Sequence, residues 1–275
     1  MRIKHLFLLF FLLFAFDTFA QELQPVDSTK WLCTYNYEFL QDSTNRSSLK
    51  KDQMFLQIGS HLSKYTCFDY YVRDSTRYFN PEKMRDPSQV IVLPVSHSNP
   101  LSLYTVYKNY PAKGLMFFTA FADTKFYKVE QPMRFDWSLD MKKDTVILGY
   151  SCQRAFTTYA GRNWIAWYAP QIPIFDGPYK FNGLPGLIVK ISDSANMHSM
   201  TLNSIKKINH NQLITMRTGS FEDVTAEDYH KIMKNYRLRL YEMIKSALLV
   251  QSPGEEQKAK VLNGMKSTNN FIEKF

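Results

Sequence analysis

The chain has few cysteines and no arrangement of them that signals chemistry. Its 275 residues hold only Cys33, Cys67 and Cys152, with no C-x-x-C pair and no clustered histidines, so their spacing is no metal signature. One disulfide with a spare thiol, in any of three pairings, stays open beside three buried small hydrophobes. G-x-S-x-G and H-E-x-x-H are both absent, and His61, His97, His198, His210 and His230 stand in no recognised catalytic context. Paired carboxylates for glycoside hydrolysis are not excluded by a sequence. Asp136, Asp140 and Asp176 are the nearest candidates, although turn formation accounts for Asp140 and Asp176. There is no long Lys/Arg block and no nucleic-acid motif. Neither repeats nor low-complexity linkers divide the chain. These absences assign no catalytic residue, cofactor or metal, and they favour one domain.

Long apolar runs are also missing after the first twenty residues. Arg2, Lys4 and His5 precede an apolar run from Leu6 to Phe16, and Thr18-Phe19-Ala20 places small residues where a signal peptidase cuts. That run is too short for a bilayer span, which needs about 20 residues. Residues 1–20 are therefore expected to be a signal peptide and 21–275 one exported domain, periplasmic or secreted, without a transmembrane segment. Removing the signal takes the formal charge from +9 to +8. A basic exported surface suits anionic envelope polymers or lipid headgroups, or is simply well solvated.

What is present is mostly strand. Cys33-Tyr35-Tyr37-Phe39 alternate, as do Met54-Leu56-Ile58, and β-type runs follow at 65–71, 90–94, 101–107, 115–121 and 126–129. Asp123-Thr124 and Gly161-Arg162 read as turns. Lys142-Lys143-Asp144 reads as a turn into one long strand, 145–156. Strands at 163–169, 187–192 and 200–205 complete the series. The pattern predicts a mainly β (α+β) fold over 29–216: a curved antiparallel meander, as sandwich, half-barrel or barrel. Aromatic residues make up 15% of the chain, enough to fill one face of such a sheet. A helical segment follows over 225–266. Thr225 and Asp228 form a capping-box-like start, and Tyr229, Ile232, Met233, Tyr236, Leu240, Met243, Ile244, Ala247 and Leu248 make an apolar stripe expected to dock on the sheet. A shorter second helix is expected within 255–266.

One stretch departs from ordinary globular sequence. Asp176 to Ile188 carries three of the ten glycines and two of the twelve prolines. Glycine permits positive φ and proline fixes φ near −65°, so Gly177-Pro178 and Gly183-Leu184-Pro185-Gly186-Leu187-Ile188 predict a rigid, twice-turned loop feeding a buried strand. Around it lie Arg162, Trp164, Trp167, Tyr168, Asp176, Tyr179 and Lys180. Aromatics beside cations hold an anionic, sugar-like or protein partner by stacking and charged hydrogen bonds. The structural alternative is that the rings plug the open end of the sheet while Arg162 and Asp176 pair to stiffen the loop.

The hexapeptide Gly183–Ile188, with Gly149–Ala155, Gly161-Arg162, Ala166-Trp167-Tyr168, Ile172-Pro173 and Gly177–Phe181, resembles the GLPGLI family of secreted bacterial proteins. The tail, Asn269-Asn270-Phe271-Ile272-Glu273, is similar to the family's Asn-Asn-Pro-Ile-Glu ending, with Phe271 in place of proline. The resemblance implies a compartment rather than a reaction. It makes an accessory role beside outer-membrane importers an expectation. Fold analogy adds a second reading, a carrier whose half-barrel holds an apolar ligand such as a lipid or lipoprotein. A hydrolase of envelope polymers is the third.

Overall fold

The computed structural model describes residues 23–79, 102–251 and 254–274. The strand expected at 90–94 and the signal peptide expected at 1–20 lie outside them. The first strands are β1 (Leu23–Ser28), β2 (Trp31–Leu40), β3 (Leu49–Ile58) and β4 (Ser63–Cys67), followed by helix α1 (Phe68–Phe79). Then come β5 (Tyr104–Lys108), β6 (Leu115–Ala122), β7 (Lys125–Pro132), β8 (Ser138–Ile147), β9 (Tyr150–Tyr159) and β10 (Arg162–Ala169). After the motif loop run β11 (Leu187–Asp193), β12 (His198–Lys207), β13 (Leu213–Arg217), β14 (Glu222–Asp223), and helices α2 (Ala226–Gln251) and α3 (Glu255–Lys266).

Among the described residues, twelve strands form one sheet in the order β14-β7-β6-β5-β4-β3-β2-β12-β11-β10-β9-β8, antiparallel except for the short β14–β7 pair. The sheet curls strongly. β7 and β9 stand nine strands apart, roughly 40 Å in a flat sheet at 4.7–4.9 Å per strand. Yet Gln131 Nε2 on β7 donates to the Tyr159 hydroxyl on β9 at 2.8 Å. No ladder joins β8 to β14 among the described residues, so the half-barrel stays open along one seam.

Two-residue hairpins turn the chain with positive φ at both central residues: Asp123-Thr124 (49° and 67°), Leu148-Gly149 (51° and 78°) and Ala160-Gly161 (47° and 70°). This backbone matches the twist of the flanking strands. The second corrects the expected long strand 145–156, which is instead the end of β8 and most of β9. The Lys142–Asp144 segment lies within β8, where the register shifts between Asp140 and Asp144. The expected strand 65–71 also divides, since the chain becomes helical at Phe68. Phe68, Tyr71 and Val72 share a helical face, and Phe55 of β3 stacks on Tyr71 at 4.3 Å.

The central strands are covered on both faces. On the concave side lie Tyr35, Leu56, Tyr65, Tyr104, Val106 and Met200, all buried. On the convex side, α1 and the separate β1–β13 pair cover Phe55, Gln57, Lys64 and Tyr107. Gln57 Nε2 donates to Thr29 Oγ1 at 3.0 Å, and the Tyr107 hydroxyl donates to the Thr215 carbonyl at 3.0 Å. All three cysteines are buried free thiols.

The helical region departs from the expected docking. Thr225 caps α2, its hydroxyl accepting the Asp228 N–H at 3.0 Å. Tyr229 then packs on Phe118 at 5.3 Å and Tyr127 at 6.2 Å. Beyond the first turn the stripe is not buried by the sheet: Met243 is 67% exposed. No helix among the described residues is long and apolar enough to cross a membrane.

Candidate functional site

The loop between β10 and β11 folds back into the concave face. Gly183 has φ +88°, and Gly186 has φ +149°, where a Cβ would lie 2.2 Å from the Ala169 carbonyl oxygen. Only glycine lets the chain pass β10 this closely. Asp176 and Asn182 bridge across the loop, and the Trp137 indole donates to the Asn182 carbonyl at 2.8 Å. Asp176 accepts the Gly177 N–H at 2.7 Å and pairs with Lys108 of β5, which also donates to the Gly177 carbonyl at 2.6 Å. Lys108 is fully buried; desolvation lowers its pKa, and Asp176 opposes that by favouring the cation. This ties the loop across the half-barrel. Tyr179, Phe181 and Leu184 fill the space between the curled ends, with Phe181 4.8 Å from Trp164 and Tyr179 5.3 Å from Tyr104.

Arg162 opens β10 and is 5% exposed. Its partner is Asp193, not Asp176. Nη1 meets Asp193 Oδ2 at 2.9 Å, Nε donates to the Ile272 carbonyl at 3.0 Å, and Nη2 donates to Asn270 Oδ1 and the Phe271 carbonyl at 2.6 and 2.5 Å. Asp193 Oδ1 in turn accepts the N–H groups of Met197 and His198 at 2.7 and 2.8 Å. His198 is a core side chain, paired through Nδ1 with the Tyr37 hydroxyl at 2.8 Å. Burial, with the nearby Arg162 charge, pushes its pKa down to about 3, so the ring is neutral.

The acceptors on Arg162 belong to the C-terminal tail. The tail runs from Gln41, whose carbonyl accepts the N–H groups of Asn269 and Asn270, to Ala160, whose carbonyl accepts the Lys274 N–H at 2.8 Å. Between them Glu273 points into a socket. One oxygen, Oε1, accepts from the Tyr159 hydroxyl at 2.9 Å, the Tyr179 hydroxyl at 2.8 Å and Lys180 Nζ at 2.7 Å. Lys180 is 2% exposed, its ammonium also lying 5.0 Å from the Phe118 ring and 3.3 Å from Gln131 Oε1. Burial raises the pKa of both phenols, and the adjacent Glu273 charge adds to the effect. The socket is a set of O–H and N–H donors converging on one carboxylate oxygen.

Arg162, Tyr179 and Lys180 thus converge on one feature. Asp176 belongs to the neighbouring Lys108 tie. Trp164 is a core residue whose indole donates to the Tyr159 carbonyl at 3.1 Å. The Tyr168 hydroxyl donates to Gln153 Oε1 at 2.8 Å, away from the socket. Trp167 is half-buried on the opposite side of β10, with Arg154 5.7 Å from its ring. Of the carboxylates weighed for hydrolysis, Asp140 is held by Arg154 at 2.5 Å, Asp176 by Lys108, and Asp136 is exposed beside Arg134. Lys108, Tyr159, Asp193 and Glu273 were not singled out by sequence reasoning as site residues. The tail motif was the one available signal, since Asn270 and Glu273, two of its three polar members, are the ones that reach the site.

A cavity of about 360 Å³ lies in the convex layer, lined by Gln57, Lys64, Tyr71, Asp74, Gln212 and Thr215 among others. Lys64 there is buried and bonded to Asp74 Oδ2 and the Thr215 carbonyl, both at 2.8 Å. A more open hollow of about 440 Å³ is lined largely by residues of β9 and β10, including Phe156, Asn163 and Ile165.

Comparison with known proteins gives a family match over one segment and a likeness of fold. None of the curated proteins matches the chain. Two solved structures of PNGF-II match with a TM-score of 0.50 and 13% identity over 76% of this chain. The chain spans 34% of their length, and the likeness is one of fold alone. The LolA superfamily protein NE2245 from Nitrosomonas europaea matches with a TM-score of 0.27 and 6% identity, covering 68% of this chain and 89% of that one. That score is too low to carry an argument. Residues 158–190, from the end of β9 through the motif loop into β11, match the model of a protein family of unknown function, Porph_ging. On this signature segment the chain carries the pattern of the GLPGLI family, as its hexapeptide indicates.

Proposed function

We propose that this is an exported cell-envelope protein that acts by binding at its surface, as an accessory to an envelope partner, and not by enclosing a ligand. The observation that carries this reading is the filled concave face. Tyr35, Tyr65, Tyr104, Trp164, Tyr179 and Phe181 each have under 5% exposure, and the chain's own loop and tail lie between the curled ends of the sheet. An apolar carrier needs a cavity of several hundred Å³ lined by such side chains. Here those side chains pack on one another. The family resemblance, and no contact in this chain, suggests an importer-associated partner, and it is the partner class we favour.

Native mass spectrometry of the protein purified from its own envelope fraction tests this reading. We expect the mass of the bare chain beginning at Gln21, recovered from the periplasmic or secreted fraction. A copurifying lipid would overturn the surface-binding reading, and recovery from the cytoplasm with residues 1–20 intact would overturn export.

A further inference from the structure

We propose that the socket of Arg162, Tyr159, Tyr179 and Lys180 is a peptide-binding site whose resident occupant, the tail, is exchangeable. The ligand that replaces it is an extended segment of a partner protein presenting an Asn and, three residues later, a Glu. The inference deepens the surface-binding reading and rests on it.

The chemistry of the socket sets the ligand class. Arg162 and Lys180 are both buried, and Asp193 neutralises only one of them. With the tail removed, Lys180 loses its carboxylate, two buried phenols lose their shared acceptor, and Arg162 loses three oxygens. A buried cation left unpaired is strongly unfavourable, so the socket is complete only with an anion in it. The acceptors on Arg162 are two backbone carbonyls and an Asn side chain. The second requirement is therefore an extended backbone, which a free carboxylate does not supply.

The attachment of the tail argues for exchange. Tail residues are held by hydrogen bonds and one ion pair, with Asn270 buried, Ile272 partly buried against the core and Phe271 partly buried beneath Arg237 of α2. The chain leading to them, α2 and α3, touches the sheet through Tyr229, which packs on Phe118 and Tyr127, and through the exposed Arg239–Asp123 pair; no ladder of the sheet among the described residues involves tail or hairpin, so both can leave with the strand pairing intact. A tethered ligand competes at an effective concentration on the order of millimolar, so a partner displaces it by higher affinity or avidity.

The test uses the full chain carrying Glu273→Gln, which weakens the resident tail, and a fluorescent peptide of residues 268–274 (Thr-Asn-Asn-Phe-Ile-Glu-Lys). We expect saturable binding. It should weaken about 10-fold or more when the peptide's Glu is replaced by Gln, the effect of losing charged hydrogen bonds. It should also weaken on the unsubstituted chain, whose own tail competes. Absence of binding to the folded variant, or equal binding of both peptides, overturns the proposal. Should Glu273→Gln fail to fold, a protease site inserted after Ser267 lets the native chain be cut and the labelled peptide exchanged against the severed tail. No exchange then overturns it. A dimer formed through swapped tails assigns the site to a second copy and overturns the partner reading. Native mass spectra report cargo in the interior, whereas this titration reports the socket, so the two readings fail separately.

Discussion

At the scale of single residues, backbone and charge placements are more demanding than the apolar contacts around them. Gly186 passes β10 with no room for a Cβ, while Gly183 has positive φ but open space. We expect Gly186→Ala to cost about 3 kcal/mol or more and Gly183→Ala only about 1 kcal/mol, from strain alone. Denaturant unfolding of both variants checks this, and equal losses would contradict it. The titration of His198 is expected to make stability depend on pH in mild acid. Its folded pKa lies near 3, below the ordinary 6.5, so between these values the unfolded chain binds the extra proton. The contribution is fully present above pH 6.5 and is lost as pH falls, by about 1.4 kcal/mol per unit. A chain with His198→Gln should lose this slope between pH 6.5 and 4; an unchanged slope would show that other groups set it. The arrangement around Arg162 and Asp193 was only half legible in sequence. The Arg was marked by its place after a turn glycine, but its partner lies across a hairpin, and Asp176 was closer in sequence to the motif.

Among elements, the motif loop and the tail behave as one unit and the helical hairpin as another. Arg162→Ala should destabilise the protein by about 3–5 kcal/mol, since it leaves Asp193 buried without its cation and frees the tail. Arg162→Lys should not restore it, because one ammonium cannot reach Asp193, Asn270 and two carbonyls in the geometry of a guanidinium fork. Thermal denaturation of the pair distinguishes this from simple charge loss. The opposite holds on α2, where Met243→Lys should change stability by no more than about 0.5 kcal/mol, whereas Tyr229→Ala should cost about 2 kcal/mol or more through its lost ring contacts. The helix was readable from its cap and its period, but its docking was not. Periodicity reports which residues share a face, not whether another element reaches that face. Strands were legible wherever alternation was clean, as in β2 and β3. Misreadings arose where Leu148 takes a turn conformation that leucine disfavours, and where an aromatic run enters α1 instead of extending β4. β1 and β13 were missed because their pairing is long-range and their sequences are short and mixed.

For the whole molecule, the decisive feature is closure. A twelve-stranded sheet curls until β7 and β9 meet through side chains, and the remaining gap is filled by the chain itself. The sequence showed a curved aromatic sheet and a rigid loop, but not that the loop enters the concave face, since that depends on Lys108 reaching Asp176 from β5. The tail completes the closure: its Glu273 carboxylate joins β9 to the loop, and its Asn270–Ile272 segment takes Arg162 of β10. Amide hydrogen exchange of the tail measures this most directly. The Asn270 and Lys274 amides, donating to Gln41 and Ala160, are expected to be protected in the native chain and to lose that protection in Arg162→Ala, while β2 and β12 stay protected. A tail that exchanges freely in the native chain would contradict closure, and with it the socket on which the binding proposal stands.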